Sequence, residues 1–305
     1  MSGDRESGAP VGGASSAPPG VTPAGSKPAA SSGGGFGDLA PRVASAVVLV
    51  AAACGALWAG GDIFALFWLL AAFAVNWEWQ RLVDGAAARL ARVVAGGAGL
   101  AAGAAFASAG LSAMALLDIL LVSCIVALLA GAGRRLFAGA GVLYAGVLVI
   151  SVCLLRESAD FGALAIGWLF AVVWGTDVFA YFGGRLIGGP RLWPRVSAGK
   201  TWSGTLVGVC SGALLGLVVT RLTLGPQAAL APIFALGFVG AALAQAGDLF
   251  ESAIKRRCGV KDSSQLIPGH GGVMDRVDGF IFASGFAALL GALRADSAAA
   301  GLFLW

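Results

Sequence analysis

Charge is scarce in this sequence. Asp, Glu, Lys and Arg make up 12% of the 305 residues, hydrophobic residues make up 58%, and the mean hydropathy is +0.86. Soluble domains carry about 25% charged residues. The composition therefore excludes an ordinary soluble fold and indicates a polytopic membrane protein. The single histidine also excludes a metal site built from several histidines.

Two further patterns are missing. The five cysteines include no CxxC pair, so we expect neither a zinc site nor a disulfide framework. Basic residues are not interleaved with aromatic residues in a patch, so nucleic acid is not an expected partner. The net charge of +4 is typical of a membrane protein with basic loops on one side of the bilayer.

The N-terminal segment, residues 1–40, is rich in Gly, Ala, Ser and Pro and has almost no large apolar side chain. Such a composition cannot bury a core. The sequence therefore predicts a disordered cytoplasmic tail over 1–40 and a transmembrane domain over 41–305.

Apolar segments fill most of the remaining chain. A transmembrane helix needs roughly 20 apolar residues to cross the hydrocarbon layer. On that basis the predicted fold is all-α, with about nine transmembrane helices. Their predicted bounds are 43–60, 62–80, 92–110, 112–133, 136–155, 161–182, 203–221, 229–247 and 276–294.

The distribution of basic residues predicts the orientation. When nine spans alternate from a cytoplasmic N-terminus, 17 of the 20 Lys and Arg residues lie inside, and the three outside are Arg156, Arg221 and Arg294. This positive-inside bias supports both the number of spans and the orientation. The longer polar loops, 183–202 and 248–275, then both face the cytoplasm. We expect an active site that uses a cytoplasmic nucleotide to be built from these two loops.

Residues 248–278 concentrate the scarce charge, with ten of the chain's 36 charged side chains, five of each sign. If the eighth helix continues past Gly247, then Asp248, Glu251, Ser252 and Lys255 share one face. Carboxylates in such a stripe suit Mg²⁺, which prefers oxygen ligands and takes part of its shell from water and substrate phosphate.

A glycine turn containing His270, Gly271 and Gly272 follows, and Asp275 stands at the start of the ninth helix. Glycine amides can approach and cradle phosphate oxygens. Each feature has a simpler alternative: basic loops signal topology, aspartates cap helices, and a lone histidine is more commonly a loop hydrogen-bond donor than a ligand. The clustering of both charge signs around a glycine turn favours a functional site.

Three acidic residues lie inside apolar runs, and one of them, Asp118, has no accompanying motif and is interpreted as a paired or capped residue. Asp177, with Tyr181 one turn later, favours a functional role because charge at membrane depth is costly; a structural ion pair is the alternative. Glu78, between Trp77 and Trp79, is interpreted as an interfacial anchor.

The charged segment resembles a known family. SAIKRR at 252–257, KD at 261–262 and IPGHGGVMDRVD at 267–278 resemble the signature of phosphatidate cytidylyltransferases, the CDP-diacylglycerol synthases. The resemblance extends to NWEW at 76–79, WGTD at 174–177, VSAGKTWSG at 196–204 and QAGDLFES at 245–252. It covers the chain from about residue 74 to its C-terminus.

The resemblance implies an integral membrane enzyme that transfers the cytidylyl group of CTP to phosphatidate, with Mg²⁺ as one or two cations. We expect Asp248 and Asp275 to be the principal metal ligands, with Glu251 and Asp278 as second choices. The other predicted catalytic residues are Lys255 and Arg276. Predicted substrate contacts are Asp177, Tyr181, Ser197, Lys200, Thr201, Ser252, Arg256, Lys261, His270, Gly271 and Gly272.

Two other functions stay open on the sequence, a CTP-dependent membrane polyprenol kinase and a polytopic transporter. The transporter gives no reason for the mixed charge cluster. The expected location is a bacterial inner membrane with the active site facing the cytoplasm. The expected partners are CTP, phosphatidate and the bilayer, and a homodimer stays open.

Overall fold

A computed structural model describes residues 36–83, 86–267 and 271–304. Within these ranges the chain forms ten α-helices, two short 3-10 helices (Ala132–Arg134 and Gly225–Gln227) and one β-hairpin. The α-helices are α1 Phe36–Ala59, α2 Gly61–Val83, α3 Ala86–Ser108, α4 Ser112–Leu128, α5 Arg135–Arg156, α6 Gly162–Ile187, α7 Trp202–Leu224, α8 Leu230–Arg257, α9 Met274–Arg294 and α10 Ala298–Phe303. The strands are β1 Arg191–Trp193 and β2 Ser197–Thr201.

Seven helical segments of the described chain are long and apolar enough to cross a membrane. They are Gly61–Val83, Arg89–Ser108, Ala132–Arg156, Gly162–Ile187, Trp202–Leu224, Leu230–Arg257 and Met274–Arg294. Val43–Ala59 and Ser112–Leu128 are apolar but shorter. Each of the nine predicted apolar segments thus coincides with a helix, and a nearly all-α membrane fold is confirmed. The number of spans and the orientation stay predictions.

Several helix ends differ from the predicted bounds. α1 begins at Phe36, inside the predicted tail 1–40; residues 1–35 lie outside the described residues. α6 continues to Ile187 and α8 to Arg257, so the first parts of the predicted loops 183–202 and 248–275 are helical. Hydropathy marks where the apolar stretch ends, whereas a helix keeps its internal hydrogen bonds beyond that point.

Two elements were not predicted. β1 and β2 pair antiparallel, with Arg191 opposite Thr201 and Trp193 opposite Ser197, so the strictly all-α prediction is wrong at this hairpin. The short helix α10 follows α9, and the Ser297 side chain accepts a hydrogen bond from Ala300 N at its start. Neither segment has the length or the periodicity that identifies an element from sequence.

α6 and α7 pack closely because α7 has glycine at every fourth position, at Gly204, Gly208, Gly212 and Gly216. A Cβ at Gly212 would lie 2.7 Å from the carbonyl oxygen of Val172 on α6. Small residues at a helix interface allow such backbone approach in membrane proteins. The packing brings Asp177 of α6 and the β2–α7 junction to one cavity.

The end of α2 is fixed to its neighbours by buried polar side chains. Trp79 Nε1 donates to Phe137 O at 2.7 Å, and Gln80 Nε2 donates to Ala138 O at 3.0 Å. Arg92 of α3 donates from Nε to Gln80 Oε1 at 3.0 Å. Arg92 is fully buried, and its place on the cytoplasmic side stays a prediction.

Candidate active site

A cavity of about 1340 Å³ lies between α1, α2, α6, β2, α8 and α9. Its charged lining gathers both signs in a small space. These residues are Asp177, Lys200, Asp248, Glu251, Lys255, Asp262, Asp275, Arg276 and Asp278. The two polar segments predicted to build an active site therefore meet at this cavity, and Asp248 and Asp275 both line it.

The rest of the cavity is apolar. Side chains of α1 and α2 line it, together with aromatic residues of α6 and α9. Trp68 stacks on Phe280 with ring centroids 4.8 Å apart, and Phe170 stacks on Trp174 at 4.3 Å. A cavity that is charged in one part and apolar in another suits an amphiphilic ligand.

One face of α8 carries the predicted stripe. Lys255 Nζ lies 2.6 Å from Glu251 Oε2, one turn apart. Ser252 Oγ donates to Asp248 Oδ1 at 3.3 Å. The prediction that the helix continues past Gly247 with these residues on one face is confirmed.

Lys200 of β2 joins the hairpin to α8. Its Nζ lies 2.7 Å from Asp248 Oδ2 and donates to Gln245 Oε1 at 3.0 Å. The Asp248 side chain is 35% exposed, and Asp177 is also exposed. Asp177 and Asp248 interact electrostatically with Asp278. We call Asp177, Lys200, Asp248 and Asp278 the open wall.

Asp275 is held differently. Its Oδ1 accepts from Lys255 Nζ at 2.5 Å. Its Oδ2 accepts from Ser263 N at 3.1 Å, from Ser263 Oγ at 2.9 Å and from Gly272 N at 2.8 Å. Each hydrogen bond to a charged group contributes roughly 1.5–3 kcal/mol. The side chain is only 5% exposed, so its orientation is set by the protein.

Glu78 completes this second group. Its Oε1 accepts from Ser264 Oγ at 2.6 Å and Val273 N at 2.8 Å, and its Oε2 accepts from Ser263 Oγ at 3.0 Å and Met274 N at 2.7 Å. The residue is fully buried, so the interpretation of Glu78 as an interfacial anchor is wrong. We call Glu78, Lys255, Ser263, Ser264 and Asp275 the anchored cluster.

The structure brings together most, but not all, of the predicted site residues. Those that line the cavity are Asp177, Tyr181, Lys200, Thr201, Asp248, Glu251, Lys255, Asp275, Arg276 and Asp278. Ser197, Ser252, Arg256, Lys261, Gly271 and Gly272 are not among the lining residues. His270 lies outside the described residues.

Some predicted substrate contacts also have partners within the protein. Thr201 Oγ1 accepts from Gly204 N and so caps α7. Arg256 donates to Val260 O at 3.2 Å. Beside it, burial raises the pKa of the Cys258 thiol against the opposing effect of Arg257 and Arg134. That thiol is therefore protonated at neutral pH and is a poor nucleophile.

Several site residues were missed, among them Asp262, which lines the cavity. Gln245 appears in the sequence motif but is fixed beside Lys200 only by the fold. Glu78 is separated by 185 or more residues from Ser263, Ser264 and the start of α9. A charge inside an apolar run was the available signal for Glu78; the two serines carry none.

The described residues contain no group of three or more His, Cys, Asp or Glu side chains arranged to hold a metal ion. The donor set nevertheless fits Mg²⁺, which needs few protein carboxylates when water and phosphate supply the remaining oxygens. Glu251 Oε1 is buried without a hydrogen-bond partner. Asp248 is partly exposed to the cavity, so both residues have oxygen atoms that a cation can use.

Comparison with known proteins places the chain in a family. Residues 40–293 match the model of the cytidylyltransferase family. The chain is 38% identical to "Phosphatidate cytidylyltransferase" of Brucella abortus biovar 1 (strain 9-941) over 261 residues, which are 85% of this chain and 95% of that protein.

Shorter matches have the same description. Identity is 46% over 132 residues with the protein of Helicobacter pylori (strain ATCC 700392 / 26695), covering 43% of this chain and 48% of that one. It is 39% over 137 residues with that of Haemophilus influenzae (strain ATCC 51907 / DSM 11121 / KW20 / Rd), covering 44% and 48%. The family match extends over nearly all of the helical bundle and includes every residue of the open wall and the anchored cluster, and the chain belongs to the cytidylyltransferase family.

Proposed function

We propose that this protein is a phosphatidate cytidylyltransferase, which converts CTP and phosphatidate to CDP-diacylglycerol and pyrophosphate. The observation that carries the proposal is the two-part cavity, in which carboxylates and cations adjoin an apolar aromatic lining. Phosphatidate needs both parts, because it joins a charged phosphate to two acyl chains. The names of the similar bacterial proteins support the same reaction.

The proposal includes a location. The protein would sit in a bacterial inner membrane with nine spans, a cytoplasmic N-terminus and the cavity open to cytoplasmic CTP. The positive-inside distribution of Lys and Arg supports this orientation. A reporter enzyme fused after Trp305 would then be extracytoplasmic, and a cytoplasmic reporter would contradict an odd number of spans.

The proposed reaction is an in-line displacement at the α-phosphorus of CTP. An oxygen of the lipid phosphate forms the new P–O bond, the bond to the β-phosphate oxygen breaks, and pyrophosphate leaves with that electron pair. A phosphate monoester has its second pKa near about 6 and is already ionised at neutral pH, so the reaction needs no general base. His270 therefore has no required role as a base, and an N–H donated to phosphate is sufficient.

The protein's contribution is positioning and charge neutralisation. Lys200 lies at the open wall, where its side chain is 16% exposed and can contribute a cation to phosphate oxygens. Lys255 and Arg276 line the same cavity and add positive charge near the reacting phosphates. The apolar lining holds the acyl chains and excludes water from that side.

Mg²⁺ is the proposed cofactor, as one ion or two. Asp248 and Asp275 are the proposed principal ligands, with Glu251 and Asp278 as second choices, because all four line the cavity. When bound, the cation neutralises phosphate charge and orients the nucleotide. Asp275 already accepts four hydrogen bonds, so its orientation would be set before any ion arrives.

The experiment is conversion of phosphatidate by the purified full-length protein, with CTP labelled at the α- or γ-phosphate. We expect lipid-bound label from α-labelled CTP, release of γ-label as pyrophosphate, and loss of both when divalent cations are chelated. Label that enters lipid from the γ-position would indicate a polyprenol-kinase type of reaction. No labelled product with phosphatidate or with a polyprenol would contradict the enzyme and favour a transporter.

A further inference from the structure

The anchored cluster contains a buried carboxylate that neither lines the cavity nor pairs with a cation among the contacts described above. Glu78 is fully buried, and its two oxygen atoms accept four hydrogen bonds from two serine hydroxyls and two backbone amides. Burying a charge is costly unless its hydrogen bonds are satisfied. Here three partners belong to Ser263, Ser264 and Val273, between α8 and α9, and the fourth is Met274 at the start of α9.

Glu78 caps α9 from another helix. The N-cap residue of α9 is Val273, and no side-chain hydrogen bond from this residue caps the helix. The first amides of a helix nevertheless need acceptors. Glu78 accepts from Val273 N and Met274 N instead. Its negative charge also lies at the positive end of the helix dipole, where anions are stabilised. The start of α9 is therefore fixed by a residue of α2.

Asp275 is the second residue of α9, so its position follows from that cap. Ser263 adds a second connection, because its hydroxyl lies 3.0 Å from Glu78 Oε2 and 2.9 Å from Asp275 Oδ2. A hydroxyl has one proton and donates to either carboxylate in turn. Ser263 N and Gly272 N also donate to Asp275, so Glu78 and Asp275 organise the same short segment.

The anchor itself is rigid. Trp79 and Gln80, the next two residues of α2, donate to carbonyl oxygens of α5. Arg92 holds the Gln80 side chain from α3. The Glu78 carboxylate is therefore held by the contacts of α2 with α3 and α5, independently of the residues that it contacts.

We propose that Glu78 is a positioning residue, which holds Ser263, Ser264 and the start of α9 and thereby orients Asp275 and Lys255 at the charged end of the cavity. The expected effect on activity rests on the proposed cytidylyltransferase function. The expected effect on amide hydrogen exchange rests on the contacts alone. Glu78 does not touch substrate. It acts through Ser263, Ser264 and the start of α9.

The test compares Glu78→Gln, Glu78→Asp and the control Asp62→Asn in the full-length protein in detergent. Asp62 is exposed at the opposite end of α2. Asp62→Asn therefore removes one negative charge from the same helix, as Glu78→Gln does. In Glu78→Gln, the NH₂ group of the amide faces backbone N–H groups. It cannot accept from them, because both groups are donors. Glu78→Asp keeps both acceptors on a shorter side chain.

In the kinetic arm, Glu78→Gln should lower kcat by about 10- to 100-fold, the usual loss for residues that orient a ligand set. The KM for CTP should change little, since Lys200 and Asp248 are untouched. Glu78→Asp should recover part of kcat, and Asp62→Asn should match the wild type. Glu78→Gln with wild-type kcat, or with a rise in KM alone, would overturn the proposal.

In the structural arm, amide hydrogen exchange is measured by mass spectrometry over residues 271–274. Glu78→Gln should speed exchange there more than it does in α5, and Asp62→Asn should leave exchange in both places unchanged. Unchanged exchange at 271–274 in Glu78→Gln would overturn the proposal whatever the activity. If the wild type fails to convert phosphatidate, the proposed function fails, and the exchange result still decides whether Glu78 holds the segment.

Discussion

The open wall and the anchored cluster both contribute residues to one cavity, but their carboxylates differ in exposure and in hydrogen bonding. In the open wall, Asp248 is 35% exposed and is paired with a single lysine, Lys200. In the anchored cluster, Asp275 is 5% exposed and accepts four hydrogen bonds. The difference separates groups that are free to exchange partners from a group whose orientation is fixed in advance.

This division suits phosphoryl chemistry. Preorganised charges cost no reorganisation when charge develops on the phosphates, which favours a rigid Asp275 and Lys255. Binding and release of a triphosphate require groups that can change partners, which favours an exposed Asp248 and Lys200. Both groups use α8 and α9. The open wall adds residues of α6 and β2, and the anchored cluster adds a residue of α2 and the two serines at 263–264.

The largest expected effect is at the centre of the anchored cluster. Asp275→Asn removes the negative charge and replaces one carboxylate oxygen by an NH₂ group. That group cannot accept from Lys255 in one orientation, or from Ser263 and Gly272 in the other. We expect kcat to fall by about 10³-fold or more, as when a preorganised electrostatic partner is lost, while the protein still inserts. The control is Asp160→Asn, at an exposed position before α6. Near-normal Mg²⁺-dependent turnover in Asp275→Asn would refute the ligand role.

A smaller change tests how tightly the cluster is packed. A Cβ at Gly272 would lie 2.6 and 2.7 Å from the two Glu78 oxygens, so Gly272→Ala must push the segment off its anchor. A shift of this kind costs about 10²-fold in rate when it misplaces a reacting group. Gly133→Ala, where a Cβ would meet nothing within 4 Å, is the matched control. Equal turnover in the two variants would show that the close packing is unimportant.

The open wall should respond more mildly and in a different parameter. Lys200→Gln removes one cation that faces the cavity, and we expect the KM for CTP to rise by about tenfold, the equivalent of 1.4 kcal/mol, with a smaller change in kcat. Lys261→Gln removes an exposed cation that is not among the cavity-lining residues. Titration of CTP separates the two, and a larger effect at Lys261 would place the triphosphate outside the cavity.

The sequence predicted the helices better than it predicted their ends. Every apolar segment became a helix because roughly 20 apolar residues suffice to specify a span. The extension of α6 to Ile187 was not predicted, since the added residues are mixed in polarity. The continuation of α8 past Gly247, which the structure carries to Arg257, was considered because its charged residues fit one helical face. The charged stripe on α8 was predictable from helical periodicity alone.

Only part of the candidate site could be predicted from the sequence. Asp248 and Asp275 belong to one dense charged segment, and their meeting in one cavity could be expected. The role of Glu78 could not, because its partners lie 185 to 196 residues away and a single sequence carries no record of such pairs. The serines that join the two carboxylates, Ser263 and Ser264, have no distinguishing pattern.

The most direct test of the account is an experimental structure of the full-length protein with CTP and Mg²⁺. We expect the triphosphate in the charged part of the cavity, in contact with Lys200 and beside Asp248, while Asp275 keeps its hydrogen bonds to Ser263 and Gly272. A nucleotide bound outside the cavity, or an Asp275 side chain turned away from Ser263 and Gly272, would contradict the division between an open wall and an anchored cluster.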